Sequence, residues 1–241
     1  MLGRDSQMKS FSCLQRRREK GRIRVSKEFR RSASSSKINN YKSNKIVEDG
    51  TGCLMRLRKP KSIKHKGKKL TEILKAHELF FRGKEGGARA DLTRADLSNA
   101  DLSGVNLSGA ILRNANLEGS DLKTARLPGA DLTGARLRNA DLRNTDMTEA
   151  ILPGADLTEA RASGVEFFRC DLSNVSFERA HLRNVNLRGA NVNGARFSGA
   201  DMGVAILRET DLTGADLSGV DLSTALLPKG FVVAQAAKKS A

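Results

Sequence analysis

Three histidines are the side chains of this chain most capable of acid–base chemistry or metal binding. They are His65, His77 and His181, and they lie far apart in the sequence. None has a nearby cysteine at the spacing of a zinc site. The Gly-rich stretch GKEGGA at 83–88 lacks the Lys-Ser/Thr ending of a phosphate-binding loop. The sequence therefore predicts no catalytic residue, no metal and no cofactor, and we expect a protein that is not an enzyme.

Cysteine usage indicates the compartment. Cys13, Cys53 and Cys170 include no Cys-x-x-Cys pair, and Cys170 occupies a small-residue position where we expect a buried free thiol. Three cysteines provide no disulfide framework, which favours a reducing compartment. No apolar run reaches the length of a signal peptide or a membrane span. We expect a cytoplasmic protein of bacterial type, although the Arg- and Ser-rich, acid-poor start could also act as an organelle transit peptide.

Carboxylates recur at five-residue intervals from Asp91, Asp96 and Asp101 onward. Such a series could supply paired catalytic carboxylates or a ladder of Ca²⁺ ligands. However, Arg126 and Arg136 occupy the same position of the series, and nearly every unit has a polar residue there. A structural or solubilising role is therefore the better interpretation.

The carboxylates belong to a five-residue repeat that runs from Ala90 to Leu227 without an insertion. Each of its 28 units has an apolar centre, which is Leu in 21 of them, and a small residue two positions earlier. A period of five fits neither a helix nor one long strand. It fits a chain that bends every fifth residue, with the small residue and the centre pointing inward from a short extended piece.

The bend is predicted to follow each centre. Two positions after the centre stand 12 Gly and six Asn, residues that tolerate positive φ. Pro128-Gly129 and Pro153-Gly154 have the sequence of the two central positions of a type II turn. Successive bends would let strands stack by parallel pairing, so that only the two ends stay unpaired.

The units ADLSN, ADLSG, ADLTG and ANLEG resemble the pentapeptide repeat family, over about 138 of the 241 residues. For that family the resemblance implies an all-β solenoid, a right-handed quadrilateral parallel β-helix. With four bends to a coil of about 20 residues, the 28 units would form about seven coils. At the usual spacing between strands the stack would stand about 34 Å tall.

The repeat pattern separates core from surface. Ala162 leaves its column of centres short of volume, which Phe167, Phe177 and Met147 could fill. The predicted core includes Leu92, Leu97, Leu102, Leu107, Leu132, Phe167, Phe177, Phe197 and Leu217. A candidate interaction surface consists of the outward apolar residues Ile111, Ile151, Phe168 and Ile206.

The flanking segments differ from the repeat. Residues 1–69 hold 22 Lys and Arg against five Asp and Glu, and we expect a disordered basic arm. An alternative is a miscalled start, with Met55 opening the protein. Residues 70–87 are predicted to form an amphipathic capping helix and lead-in, with Leu70, His77 and Phe81 on one face. Thr71 is its predicted N-cap and Gly83 its stop. The repeat domain spans 88–228, and 229–241 is a C-terminal cap or tail.

Two classes of function follow. The first is a non-catalytic scaffold that binds a protein partner through a rigid wall. The second is related to nucleic acid. Some members of the family resemble DNA and bind type II topoisomerases such as gyrase; alternatively, residues 16–69 contact nucleic acid weakly through their charge. We expect no membrane contact, and either a monomer or a homodimer formed through the C-terminal end.

Overall fold

A computed structural model describes residues 46–48 and 54–231. The predictions for the rest of the arm and for the end of the tail lie outside these residues. Within these residues, two antiparallel strand pairs, one short 3-10 turn and one helix precede the repeat. The elements are β1 Ile46–Glu48, β2 Leu54–Arg56, the 3-10 turn Pro60–Ser62, β3 Lys64–His65, β4 Lys68–Lys69 and the helix α1 Leu70–Phe81.

Beyond α1 the backbone forms a solenoid in which nearly every short strand pairs in parallel with the strand 20 residues later. Four ladders begin at Asp91, Asp96, Asp101 and Asn106, and we name these faces wall 1, wall 2, wall 3 and wall 4 in that order. Between residues 90 and 227, all of which are described, no helix interrupts the stack. The predicted repeat β-helix is confirmed.

Each corner is a tight turn closed by the backbone. The N–H of Ala95 donates to the carbonyl of Leu92 at 3.0 Å, and this bond recurs at nearly every corner. The residue before the small residue has positive φ, for example +59° at Arg94 and +61° at Gly129. Positive φ at the third position of the turn is the geometry of a type II turn. This explains the preference for Gly and Asn at this position.

The outward Asp residues stabilise the corners. Asp91 accepts a hydrogen bond from the backbone N–H of Thr93 at 3.0 Å, and Asp96 accepts one from Ser98 at 3.1 Å. The Ser98 hydroxyl donates to the same carboxylate. A side chain that bonds the backbone two residues on is an Asx turn. The sequence Asp-Leu-Ser/Thr is therefore a turn signal, which supports the structural interpretation of the Asp series.

The interior is filled by the centres and the small residues. Phe167 and Phe177 meet edge to face with ring centroids 5.7 Å apart, and Phe177 stacks on Phe197 at 5.0 Å. Whether these rings fill the volume that Ala162 leaves stays a prediction, which the substitution Ala162→Leu tests. The nine core residues of the sequence analysis are all buried, with at most 7% exposure: Leu92, Leu97, Leu102, Leu107, Leu132, Phe167, Phe177, Phe197 and Leu217.

The expectation of disorder is wrong for residues 57–69, which fold against the first coil. Leu57 and Ile63 are buried. The backbone N–H of Arg58 donates to the carbonyl of Asn99, and the N–H of Asp101 donates to the carbonyl of Arg58. These two apolar residues have too few apolar neighbours in sequence to fold alone. The open edge of the first coil supplies the missing partner. We call residues 57–89 the lead-in segment.

The helix differs from its prediction at two positions. It begins at Leu70, so Lys69 and not Thr71 is the N-cap; the N–H of Lys69 donates to the Glu72 carboxylate at 3.2 Å. Hairpin β3–β4 feeds directly into the helix and sets this earlier start. Phe81 was expected on the buried face but is 51% exposed, because it lies at the last helical position. Gly83, with φ +61°, follows the end of the helix as expected.

Candidate interaction surface

Wall 1 carries two of the four predicted surface residues, and they are separated. Ile111 is half-buried and Ile151 is 43% exposed. Asp131 lies between them in the ladder, and its carboxylate pairs with Arg113 at 2.5 Å. Burial raises the pKa of Asp131, but the hydrogen bonds of Thr133 and Arg113 outweigh burial and hold that pKa below its ordinary value. Wall 1 therefore presents single apolar side chains with an ion pair between them.

Phe168, the third predicted residue, lies at the corner that follows wall 4. It is half-buried, and the guanidinium carbon of Arg169 lies 5.0 Å from its ring centroid. A cation over a ring face is a favourable contact that also covers the ring. Phe168 is thus partly covered by its own neighbour and is remote in the ladder from Ile111.

Ile206, the fourth predicted residue, belongs to a continuous apolar group. It bridges Leu226 in the wall 4 ladder, and Val204 stands two residues before it at the adjoining corner. Val204 is 47% and Leu226 44% exposed. We name Val204, Ile206 and Leu226 the C-terminal ridge. Val204 and Leu226 are not among the residues predicted from the sequence, although each replaces the polar or turn-forming residue usual at its position of the repeat.

The backbone of the ridge is strained. Val204 has φ +59°, a conformation that costs a β-branched residue about 1–2 kcal/mol. Thr124 is also β-branched at positive φ, but its hydroxyl donates to the adjacent carbonyl of Lys123. Val204 has no such polar group. Gly would fit this turn better. Val204 therefore keeps an exposed apolar side chain in a turn that is less stable than it would be with Gly.

Polar contacts bound the ridge. Above Ile206 in the ladder, the amide of Asn186 donates to Glu166 at 2.8 Å. Beside it, Arg188 pairs with Glu209 at 2.7 Å. The hydrogen bond from Arg188 lowers the pKa of Glu209, which keeps the pair charged. The ridge is thus a small apolar area with a polar border, the composition usual for a contact surface.

Two adjacent acidic side chains of wall 3, Asp121 and Asp141, are neutralised by neighbouring cations. Lys123 lies 3.2 Å from the Asp121 carboxylate and 3.5 Å from that of Asp141. Arg143 pairs with Asp141 at 2.8 Å. Burial raises the pKa of Asp141, but the hydrogen bond and charge of Arg143 outweigh burial, so the pKa of Asp141 lies below its ordinary value. No strip of wall 3 carries uninterrupted negative charge over its described length.

The histidines and the described cysteine are dispersed in the fold. His77 belongs to α1 and is buried, and its Nδ1 accepts the N–H of Ala90 at 3.1 Å. His65 lies in β3, and His181 is exposed on wall 3. The buried Cys170 thiol donates to the carbonyl of Met147, and burial raises its pKa to about 12, so it is not a nucleophile at neutral pH. Within residues 46–48 and 54–231, no metal-binding cluster of three such side chains occurs.

Family and structure comparisons agree on the architecture. The profile "Pentapeptide repeats (8 copies)" matches residues 90–129, 125–164, 166–203 and 205–227. A trypsin-treated variant of QnrB1, a plasmid-mediated fluoroquinolone resistance protein, aligns at 23% identity over 58% of this chain and 71% of that chain, with a TM-score of 0.54. At this identity the likeness shows the fold alone. No curated protein sequence matches significantly.

Two further solved structures are pentapeptide repeat proteins. Rfr23 from the cyanobacterium Cyanothece 51142 is 27% identical over 52% of this chain and 88% of that chain, with a TM-score of 0.29. A protein of the Arabidopsis thaliana thylakoid lumen is 33% identical over 46% of this chain and 68% of that chain, with a TM-score of 0.14. TM-scores this low add no information about the shape of the chain. Among the helices described, none is long and apolar enough to cross a bilayer.

Proposed function

The chain belongs to the pentapeptide repeat family, and from that premise we propose that it is a non-catalytic scaffold that binds a protein partner through the C-terminal ridge of its coil stack. Proteins of this family are generally structural or interaction proteins. The ladders of the four walls offer one partner a flat, rigid contact. A rigid surface binds without an ordering cost, which favours this use of the fold.

The ridge is the single observation that carries the proposal. Val204 keeps a strained backbone and a half-exposed side chain at a corner where 12 of the 28 units have Gly. Stability alone would favour Gly there. Strain that persists beside an exposed apolar group is typical of a functional surface.

The test separates stability from binding with Val204→Gly. Relief of the left-handed backbone should stabilise the coils by up to about 1 kcal/mol, because the loss of a half-exposed side chain offsets part of the gain. Binding of the partner should fall. Proteins captured from a cell extract by the unchanged chain would be compared with those captured by Val204→Gly combined with Leu226→Ser.

Two matched variants control this test. Thr124→Gly changes a strained corner away from the ridge, and Ile151→Ser removes an exposed apolar side chain from wall 1. A partner captured by the unchanged chain and both controls, and lost only from the ridge variant, supports the proposal. Equal capture by the ridge variant would place the contact elsewhere.

Details of the architecture belong to the same proposal. We propose a right-handed stack of about seven coils, with α1 acting as the cap of its first coil, so that partner and cap occupy opposite ends. The ladders from Asp91 to Leu226 support the coil number. The burial of Leu70 and His77 against the first coil supports the cap. We propose a monomer in the cytoplasm as the simplest state. A homodimer formed through the C-terminal end would instead cover the ridge. Light scattering at two protein concentrations would detect such a dimer.

The second candidate is a DNA-like surface that binds a type II topoisomerase such as gyrase. Such a surface needs a sustained negative field. Residues 90–231 hold 15 Lys and Arg against 19 Asp and Glu, and the ion pairs of wall 3 break up even this small excess. We expect no inhibition in a gyrase supercoiling assay. Inhibition at low micromolar protein would favour this candidate over the scaffold.

A further inference from the structure

The lead-in segment has the opposite charge balance from the coils. Residues 57–89 hold 11 Lys and Arg against three Glu. Two of these cations attach the segment to the first coil: Arg58 pairs with Asp96 at 2.9 Å and Lys66 pairs with Asp91 at 2.5 Å. The remaining positive charge is therefore held in a fixed place at the N-terminal end of the stack.

Four lysines of this segment face solvent on neighbouring elements. The 3-10 turn contacts β4, and β4 pairs with β3, so their side chains share one end of the molecule. Within residues 57–231, none of the four ammonium groups forms an ion pair. We call them the lysine cluster: Lys61, Lys64, Lys68 and Lys69, all exposed.

The hairpin that carries the cluster is unfavourable as a purely structural element. Lys64 lies directly opposite Lys69, and like charges in that position destabilise a strand pair. Lys66 and Gly67 form the two-residue loop at φ +48° and +79°, where Asn-Gly is preferred over Lys-Gly. The hairpin is held in place by the burial of Ile63 and Leu70, whose backbones are joined by a 2.8 Å hydrogen bond. The burial and that bond oppose the repulsion between the lysines.

We propose that the lysine cluster binds the phosphate backbone of a nucleic acid. Clustered ammonium groups without carboxylate partners attract a polyanion and gain free energy by releasing its counterions. Binding would also remove the repulsion between Lys64 and Lys69. The cluster contains no aromatic side chain for base stacking, so it would read no sequence. This site is a folded surface, is independent of the C-terminal ridge, and goes beyond the scaffold function.

A membrane surface fits the cluster less well. Peripheral membrane binding combines basic residues with apolar side chains that enter the lipid. The apolar residues of the hairpin region, Leu57, Ile63 and Leu70, are at most 3% exposed because they pack on the first coil. The half-exposed Phe80 and Phe81 lie at the opposite end of α1 from Lys69. The cluster itself therefore offers charge alone.

Two full-length variants with equal charge loss test the proposal. The cluster variant combines Lys61→Gln, Lys64→Gln, Lys68→Gln and Lys69→Gln. The matched control removes three exposed cations from the coils and one from the start of the tail: Arg126→Gln, Arg136→Gln, Arg208→Gln and Lys229→Gln. Binding to a labelled random-sequence duplex would be followed by fluorescence anisotropy from about 50 to about 200 mM salt, the range in which phosphate contacts weaken steeply.

The slope of affinity against salt is the decisive readout. Each lost phosphate contact reduces the slope by about 0.9, so the loss of four lysines should reduce it by up to about 3.6 and weaken binding at least about tenfold at low salt. The control should change by less than about threefold. Substitution of the four lysines by Arg should retain binding. Equal slopes for the cluster variant and the control would overturn the proposal, as would a loss confined to phosphatidylserine vesicles with duplex binding unchanged.

Discussion

The two ends of the coil stack are finished differently. At the N-terminal end, Leu57, Ile63 and Leu70 are at most 3% exposed, and the backbone of Arg58 continues the wall 3 ladder by one strand. At the other end of the described chain, Leu226 is 44% exposed. No bridge pairs Asp211 or Asp221 within the described ladders. The first edge is covered by chain from outside the repeat, whereas the last coil presents apolar side chains.

The two ends of the stack are therefore suited to different roles. An uncovered edge of paired strands promotes association with other chains. Covering the first coil removes that tendency. The outer layer of the lead-in segment is charged on hairpin β3–β4 and carries the half-exposed Phe80 and Phe81 at the end of α1. The last coil keeps both its apolar ridge and a strained corner at Val204. We infer that stability is concentrated at the first end and apolar contact at the last.

The largest test of this comparison removes one side chain from each end. Ile63→Ala should destabilise the protein by about 2–4 kcal/mol, because it leaves a cavity under the lead-in segment. Leu226→Ala removes a half-exposed side chain and should cost under about 1 kcal/mol. Urea unfolding followed by circular dichroism would give both values. If the two substitutions lowered the free energy of unfolding by similar amounts, the covered edge would contribute no more to stability than the exposed one.

A second test compares two fully buried alanines of the interior. Ala140 occupies a small-residue position, and the backbone N–H of Arg161 donates to its carbonyl at 2.9 Å. Ala140→Leu should therefore overpack the coil and cost about 1–3 kcal/mol. Ala162→Leu should cost less, since Leu is the usual centre and Phe167 can move to admit it.

Melting temperatures of the two variants would decide. Equal shifts would mean that the spare volume does not lie at Ala162. A greater loss for Ala162→Leu would mean that the contact between Phe167 and Phe177 is too tight to yield, so that the aromatic pair and not the Leu column fixes the interior there.

The coil stack could be predicted from the sequence because every unit repeats the same order of small residue, apolar centre and turn residue. The first unit has Ala90 as its small residue, Leu92 as its centre and Arg94 in its turn. The five-residue period of this pattern fits neither a helix nor one long strand. Even the inward direction of Phe167 follows from register. The role of Asp91 could have been found as well, since Asp followed two residues later by Thr or Ser is an Asx-turn signal.

The lead-in segment could not be predicted in the same way. Leu57 and Ile63 stand among lysines, and only contact with the first coil makes their burial possible. Local composition therefore predicted disorder, and tertiary contact overrode it. Likewise, Val204 and Leu226 each look like one exposed apolar residue. Their grouping with Ile206 depends on a corner and on a bridge between coils, which appear when the columns are built in three dimensions.

A third prediction concerns acid stability within the coils. The pKa of Asp141 lies below its ordinary value, so its contribution is present above about pH 4 and is lost as pH falls through the folded-state pKa. At pH 7, Asp141→Asn should cost about 1–2 kcal/mol, because it removes a charge-assisted bond to Arg143. The cost should shrink near pH 2. Asp201→Asn, at an exposed pair with Arg183, is the control and should cost less at pH 7.

The smallest expected effect lies at the covered end and depends on His77. Burial lowers the pKa of His77 and the charge of Arg89 acts in the same direction, although the backbone of Ser108 opposes them. The unfolded chain therefore binds the proton more readily. The contribution of neutral His77 to the free energy of unfolding should be fully present above about pH 6.5. It should decrease as pH falls toward the lowered pKa of the folded state. A protonated ring could no longer accept the N–H of Ala90 at Nδ1.

Melting temperatures between pH 7.5 and pH 5 would measure this decrease in the unchanged chain, where we expect a loss under about 1 kcal/mol. In His77→Gln the slope over this range should flatten, because the amide oxygen accepts the same N–H without titrating. His181→Gln, on exposed wall 3, should leave the slope unchanged. If His77→Gln retained the full slope, the pH sensitivity would arise outside the contact between α1 and the first coil. The attachment of α1 to the first coil would then not depend on the protonation of His77.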